Sequence, residues 1–226
     1  MHSPGGLGWQ HCTLTFEEEA QQVIASPQIQ AALHQAAASH KHLCPRQVLG
    51  VRIGLLAAQL LHLDVPQSDK RLYTFVETDG CFADGIAAAT GCALGHRTLS
   101  LMDYGKVAAT FVDTRTGDAF RIWPSQQCRD RAAQYAPSAS NRWRAQLDGY
   151  QVMPAAELLC VSAVELTIDL AALIGKPGVR ATCSACGEEI LNQREILRDG
   201  APLCRGCADG SYVRIQRSLF PGSDPT

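Results

Sequence analysis

From Pro27 onward the apolar positions fall into distinct rhythms. Ile29, Ala32, Leu33, Ala36 and Ala37 recur at three- and four-residue steps, which predicts a helix from Pro27 to about Ser39. An earlier helix, from about Phe16 to Val23, is expected from the acidic run Glu17-Glu18-Glu19, which suits a first turn. The glycine-rich residues before it read as an unstructured lead-in. The stretch from Pro45 to about Leu63 is apolar on nearly every face and predicts a buried helix. Gly50 and Gly54 sit four apart on it, each costing roughly 1 kcal/mol of helix propensity. That cost implies close approach of another backbone, in the core or at a dimer seam.

Beyond the turn at Asp64–Asp69 the period changes. Leu72 to Glu77 alternates and carries aromatic and β-branched residues, so it reads as a strand ending in Asp79-Gly80-Cys81. Ala83 to Thr90 reads as a short helix stopped by Gly91. Strands are expected at Thr98–Met102, Val107–Asp113 and Ala119–Ile122, the last two forming a hairpin through Thr114–Asp118. Helices follow at Gln126–Tyr135 and Ser140–Leu147, then one helical turn at Pro154–Leu159. A final alternating strand is expected from Val161 to Asp169. Helices and antiparallel strands mix without regular βαβ alternation, so the core is assigned as α+β. Gly175-Lys176-Pro177-Gly178 is linker chemistry, placing a core domain at 1–174 and a small domain at 179–226.

Composition narrows the function classes. With 20 basic and 22 acidic residues the net charge is −2, which gives no general electrostatic reason to bind nucleic acid or an anionic membrane. The apolar runs break before the roughly 20 residues that a membrane span needs. The N-terminus lacks the basic start and apolar core of an export signal. Ten cysteines in such a chain point to metal binding and reactive thiols in the cytoplasm, not to a disulfide framework.

Four of those cysteines form Cys183-x-x-Cys186 and Cys204-x-x-Cys207, with 17 residues between the pairs. Each knuckle can aim two sulfurs at one ion, and four thiolates close a tetrahedral shell. The expectation is a structural zinc, with Gly187 and Gly206 easing the knuckles. A hairpin is expected between the knuckles over Glu189–Leu197, with its turn at Arg198-Asp199-Gly200, and the last pair opens a short helix, as in a treble-clef or ribbon finger. A segment this short has little core, so the metal supplies much of its folding free energy. Arg194, Arg198, Arg205, Arg214 and Arg217 make it mildly basic.

The core has a second set of reactive residues at element boundaries. They are His40-x-His42-x-Cys44-Pro45, Glu77-x-Asp79-Gly80-Cys81-x-x-Asp84, Thr90-Gly91-Cys92 and Asp103-Tyr104-Gly105-Lys106. Pro45 suits the first position of a helix, which makes Cys44 its N-cap and sets that thiol against the positive end of the helix dipole. The remaining core cysteines, Cys128 and Cys160, and His34, His62 and His96 read as structural, as do Cys12 and His11.

In this order the four pieces resemble the FmdE family, named for a component encoded with molybdenum formylmethanofuran dehydrogenase. That family is marked by a His-Gly-His-x-Cys-Pro segment opening a long helix, an acidic strand end with cysteine and aspartate, a Thr-Gly-Cys turn and an Asp-x-Gly-Lys segment. Many members carry a C-terminal treble-clef zinc finger. The resemblance covers about Leu33 to Asp169 and the finger. This chain departs from it with Lys41 in place of glycine, with Arg46 in place of a small residue, and with Gly80 and Gly85 around the cysteine–aspartate piece. The resemblance implies an α+β core, a homodimer and a pocket whose activity the family name does not define.

Three functional expectations follow. The first is a protein handling a metal or metallocofactor, an accessory to a molybdenum or tungsten enzyme as metalloenzyme partner. His42, Cys44 and Cys81 or Cys92 would bind a second, core metal of open identity, with Asp84 as ligand or orienter. The second is an enzyme with Cys44 or Cys81 as nucleophile, His40 or His42 as base, Asp79 or Asp84 as orienter and Lys106 as anion-binding group. The third is a regulator whose finger binds nucleic acid. The near-neutral charge and the lack of a helix-turn-helix signature count against it.

Overall fold

The computed structural model describes residues 27–216 apart from 41, 68, 176, 177 and 215. The helix expected at 16–23 and the lead-in before it, with His11 and Cys12, lie outside the described residues. The described elements divide at Thr167/Ile168 into two compact units.

In the first unit the chain runs through α1 (Pro27–His40), α2 (Pro45–Leu60), β1 (Leu72–Val76), α3 (Cys81–Thr90) and β2 (Leu99–Leu101). It continues through β3 (Ala109–Asp113), β4 (Ala119–Pro124), α4 (Cys128–Tyr135), α5 (Arg142–Val152), α6 (Ala155–Leu158) and β5 (Leu159–Ala163). The mix of helices with a largely antiparallel sheet is the expected α+β class.

The sheet has the order β2-β1-β3-β4-β5. β3 and β4 form the expected hairpin, with Val112 opposite Ala119. β1 and β2 are parallel, Thr74 opposite Leu99, because the connection between them passes through α3. β1 is buried at every position, as a strand covered on both faces must be. The last strand stops at Ala163 and does not run to Asp169. Its partner β4 begins at Ala119, where Ala119 O accepts from Val164 N–H, and beyond that point no ladder remains to pair with.

α2 is the core helix. Thirteen of its sixteen residues are buried, and it packs on α1, α3, α5 and β4. This is why its sequence shows no polar face. The Gly50–Gly54 patch is covered by α3 of the same chain, so it is a packing seam within the core.

The second unit holds α7 (Leu170–Gly175), β6 (Arg180–Thr182), β7 (Glu189–Leu191), β8 (Ile196–Arg198), β9 (Ala201–Leu203) and α8 (Arg205–Asp209). The hairpin expected between the knuckles, with its turn at Arg198-Asp199-Gly200, is present as β8–β9, and its first part, β7, forms a second hairpin. β7 pairs back with β6 around the first knuckle, and β8 pairs with β9. Asp199 and Gly200 turn the second hairpin with φ of 52° and 79°, the two positive values that a tight primed turn requires.

Candidate functional site

The core site starts from the glycine seam. α2 and α3 run parallel in register. A methyl at Gly50 would collide with the Phe82 carbonyl, one at Gly85 with the Gln47 carbonyl, and one at Gly54 would reach within 2.9 Å of the Ala89 methyl. Backbones this close carry their starting residues to one end. Cys44, the N-cap of α2, therefore stands beside Cys81, the first residue of α3. Both thiols sit at positive helix ends. Burial, then hydrogen bonding to the Cys44 sulfur and the charge on it, pushes the Cys81 thiol up. Cys81 therefore holds its proton more readily than an isolated thiol does.

Gln47 fixes the Cys44 end. It is fully buried; its Oε1 accepts from the Cys44 N–H at 2.9 Å, and its Nε2 donates to the Ala36 carbonyl at 2.9 Å. One amide thus ties the end of α1 to the entry of α2 and holds Cys44 extended, at φ −125° and ψ 158°. Pro45 follows at the first helical position, as expected.

The strand end opposite is tethered just as firmly. Glu77 is buried, and its carboxylate takes a two-pronged contact from Arg121, Nε to Oε1 at 2.6 Å and Nη2 to Oε2 at 2.8 Å. The Glu77 carbonyl accepts from the N–H groups of Tyr104 and Lys106, both at 3.1 Å. The Asp103–Lys106 segment is thereby hung on the end of β1, with the Lys106 ammonium 6.0 Å from the Tyr104 ring centre.

Not all of the expected residues converge. Asp84 lies in the first turn of α3, and its charge acts on Cys81. Cys92 does not join them. It follows the far end of a ten-residue helix, about 15 Å of rise away. There it is buried between β1 groups, accepting from Thr74 Oγ1 and donating to the Leu72 carbonyl, both at 3.5 Å. His42 and Asp79 are exposed. Neither they nor Cys44, Cys81 and Asp84 fall into a group of three ligand atoms close enough for one ion among the described residues. The His40 side chain and Lys41 lie outside the described residues.

Cys44 opens onto a cleft of about 820 Å³. Its walls include Arg46, Lys106, Arg121 and Arg129 together with Trp123 and Trp143. Arg121 stacks on Trp123, its guanidinium carbon 5.0 Å from the ring centre. The cleft receives the starts of two helices, α2 through Cys44-Pro45-Arg46 and α4 through Cys128-Arg129.

In the second unit Cys183, Cys186, Cys204 and Cys207 present their sulfurs within 4.8 Å of one another, and Cys186 and Cys204 Sγ are 4.0 Å apart. Bonds of about 2.3 Å at tetrahedral angles put zinc-bound thiolates roughly 3.8 Å apart, so the set fits one zinc ion. Cys204 N–H points at Cys183 Sγ, 3.3 Å away, and Cys207 N–H at Cys204 Sγ, 3.4 Å away, the donors a charged sulfur needs. Backbone N–H groups of Cys204 and Cys186 pull Cys183 down to about 6, whereas the crowded thiols of Cys204, Cys186 and Cys183 push Cys207 up to about 12. Four such sulfurs cannot all ionise together without a cation among them. All four are ligands, so the site is structural.

Three features escaped the sequence reading. Arg52 lies in the all-apolar helix, and its isolated charge there was the available signal. The Glu77–Arg121 contact joins residues 44 apart in sequence across two strands, and no local pattern reveals it. Trp123 and Trp143 gave no periodic signal, yet they line the cleft.

Comparison with known proteins agrees with this division. Residues 39–160 match a family described as FmdE, molybdenum formylmethanofuran dehydrogenase operon, and residues 178–212 match the prokaryotic dksA/traR C4-type zinc finger. A curated relative from Archaeoglobus fulgidus, named as a probable S-adenosyl-L-methionine-binding protein, is 26% identical over 94% of this chain. The alignment spans 59% of that relative's length. The crystal structure of a tungsten formylmethanofuran dehydrogenase FmdE-like protein from Syntrophus aciditrophicus shares the fold, with a TM-score of 0.52 and 21% identity. That match covers 82% of this chain and 95% of the other.

Proposed function

Starting from the fact that the chain belongs to the FmdE family, we propose that it is a metal-handling protein whose working site is the Cys44–Cys81 pair. It is a metal-binding protein with a structural C4 zinc site, and this reading adds a second, exchangeable metal site in the core. The observation that carries it is the meeting of two thiols at parallel helix starts, with Cys44 on the wall of an open cleft. A closed four-thiolate shell keeps its ion. A pair beside open space can take up a thiophilic ion and release it. Cys44 and Cys81 would hold that ion, with Asp84 beside Cys81. Cys92 has no part in it.

The role that follows is that of an accessory factor delivering a metal or metallocofactor to a molybdenum or tungsten enzyme, acting as a homodimer. Support for it is the family and the site's openness. The finger is read as a treble clef that supports the chain and does not bind nucleic acid. The archaeal relative's name raises S-adenosyl-L-methionine as a ligand of this chain. The cations around the cleft argue against a positively charged sulfonium there.

Metal analysis tests the proposal. Wild-type protein loaded with cobalt or zinc should carry one equivalent beyond the finger metal, and Cys44→Ala and Cys81→Ala should lose that equivalent and keep the finger's. A single zinc per chain, unchanged by Cys44→Ala, overturns the reading. Cysteine-dependent catalysis is the second reading, favoured by Cys44 lying at a helix start on the cleft wall. It requires rapid alkylation of Cys44 near pH 6.

A further inference from the structure

We infer that the cleft beside Cys44 is a binding site for a purine mononucleotide or a ligand of the same chemistry, a flat bicyclic ring bearing a phosphate. This goes beyond the metal reading and does not depend on it. The first observation is charge. Arg46, Lys106 and Arg129 all line the cleft, and none forms an ion pair with another described residue. Arg121 is the fourth cation, and its partner Glu77 neutralises it. A wall with three uncompensated cations attracts an anion with more than one charge.

The second observation is backbone. The starts of α2 and α4 both enter the cleft, each with an arginine in its first turn, Arg46 and Arg129. Pro45 brings no N–H, and the Cys128 and Asp130 N–H groups already donate to the Ser125 and Gln127 carbonyls, so what each start offers phosphate oxygens is its positive dipole end beside an arginine and not a row of free amides. Two of them, with side-chain cations from both helices, make the same demand from independent parts of the chain.

The third observation is the aromatic surface. Trp123 and Trp143 stand on the cleft wall, and Trp143 is half exposed although large. Indole faces in a cationic cleft offer stacking to a flat ring. A cleft of 820 Å³ lies in the range of about 300–1,000 Å³ that holds such ligands. Trp123 already carries Arg121 on its ring, but an anion alone would leave the half-exposed Trp143 unused, and a neutral ring would leave the cations so. Phosphate and ring on one molecule satisfy both.

The test is calorimetric titration of the full chain, with zinc in the finger and no further metal, so that its result is separate from the fate of the core metal. Probes are 5′-AMP and 5′-GMP, with their nucleosides and ribose 5-phosphate as partial ligands. At least one nucleotide should bind, with its nucleoside and ribose 5-phosphate each about tenfold weaker or more. Lys106→Ala and Arg129→Ala, both exposed positions, should each weaken nucleotide binding by about tenfold, and added salt should weaken it further. Trp143→Ala should weaken nucleotide binding while leaving that of ribose 5-phosphate within about twofold. Thermal melting confirms that each variant is folded. Absence of binding by both nucleotides at millimolar concentration overturns the inference. Equal affinity for nucleoside and nucleotide overturns it too, as does unchanged affinity in the Lys106 and Arg129 variants.

Discussion

The guanidinium of Arg52, 1% exposed within the apolar helix α2, donates through Nη1 to the carbonyl of Tyr150 at 2.8 Å. The same nitrogen reaches the Gln151 carbonyl at 3.2 Å, and Nη2 donates to the Met153 carbonyl at 2.8 Å. The side chain thus closes the C-terminal end of α5, where carbonyls have no partner within the helix and the dipole is negative. Burial pulls its pKa down to about 10, which leaves it charged at neutral pH. Arg52→Ala strips three carbonyls of donors and opens a cavity, and it should cost about 3 kcal/mol or more. Arg52→Lys keeps the charge but not the fork, and should cost less. Urea unfolding of both variants checks the order.

The glycine seam makes a second test. Gly50→Ala sets a methyl against the Phe82 carbonyl, which belongs to a helix backbone and has little freedom to move. Overpacking of this kind costs about 1–3 kcal/mol, which outweighs the roughly 1 kcal/mol that alanine gains in helix propensity. The variant should melt lower than wild type, and the forced separation of α2 from α3 should also weaken any metal held by Cys44 and Cys81. Gly80→Ala makes the contrast: it meets no neighbouring atom, so its cost is confined to the positive φ of 69°.

How much of this was written in the sequence depends on the range of each interaction. Helix starts and stops were local and legible. Cys44 as N-cap, Pro45 at the first position and Gly91 at φ 76° after α3 all follow from short-range sterics. The finger's ligands were legible because ligand spacing is also local. What failed was convergence. Cys92 shares a short segment with Cys81 in the sequence, but a helix lies between them and carries it away from the thiol pair. The strand past Ala163 alternated correctly yet had no partner, since pairing is set by another segment. The role of Arg52 depended on residues about a hundred positions away.

Acid sensitivity follows from Asp113 at the end of β3. Burial works to raise its pKa, but the Arg71 fork, with Nε at 3.0 Å and Nη2 at 2.8 Å, and the Arg115 N–H at 2.9 Å outweigh it and leave Asp113 below its ordinary value. A carboxylate depressed by folding contributes stability above its unfolded pKa of about 3.9, and that contribution is lost as pH falls through the lower folded value. Wild type should therefore lose stability on acidification below about pH 4 more steeply than Asp113→Asn. At neutral pH the variant should be the less stable of the two. Thermal melts from pH 3 to 7, about the range of carboxylate titration, give both curves.

Removing the finger metal should have a local result. The second unit buries few apolar side chains, chiefly Ile190 and the ligand Cys183, so four thiolates on one ion supply much of what holds β6 to β9. A strong chelator, or Cys204→Ser, should accelerate hydrogen exchange across Arg180–Leu203. Retained protection there without zinc would contradict the structural role.

The Glu77–Arg121 contact offers the most direct separation of packing from charge. Glu77 is 8% exposed and Arg121 29%, so the pair is partly screened on the cleft side. Arg121→Met leaves a buried carboxylate without its cation, and should cost about 3 kcal/mol, at the low end for a broken buried pair because of that screening. Glu77→Gln leaves a cation that can turn to solvent in the cleft and should cost less. The double variant removes both charges, so its cost should fall well below the sum of the singles, by about 1–3 kcal/mol. Additive costs in denaturant would show that the two side chains act by packing alone. The same pair has a consequence for the cleft. Freed from Glu77, Arg121 becomes a fourth uncompensated cation, so Glu77→Gln should tighten phosphate-bearing ligands while Arg121→Met should not. A change of the same sign in both variants would place the effect in the Asp103–Lys106 segment that Glu77 suspends, and not in the charge of Arg121.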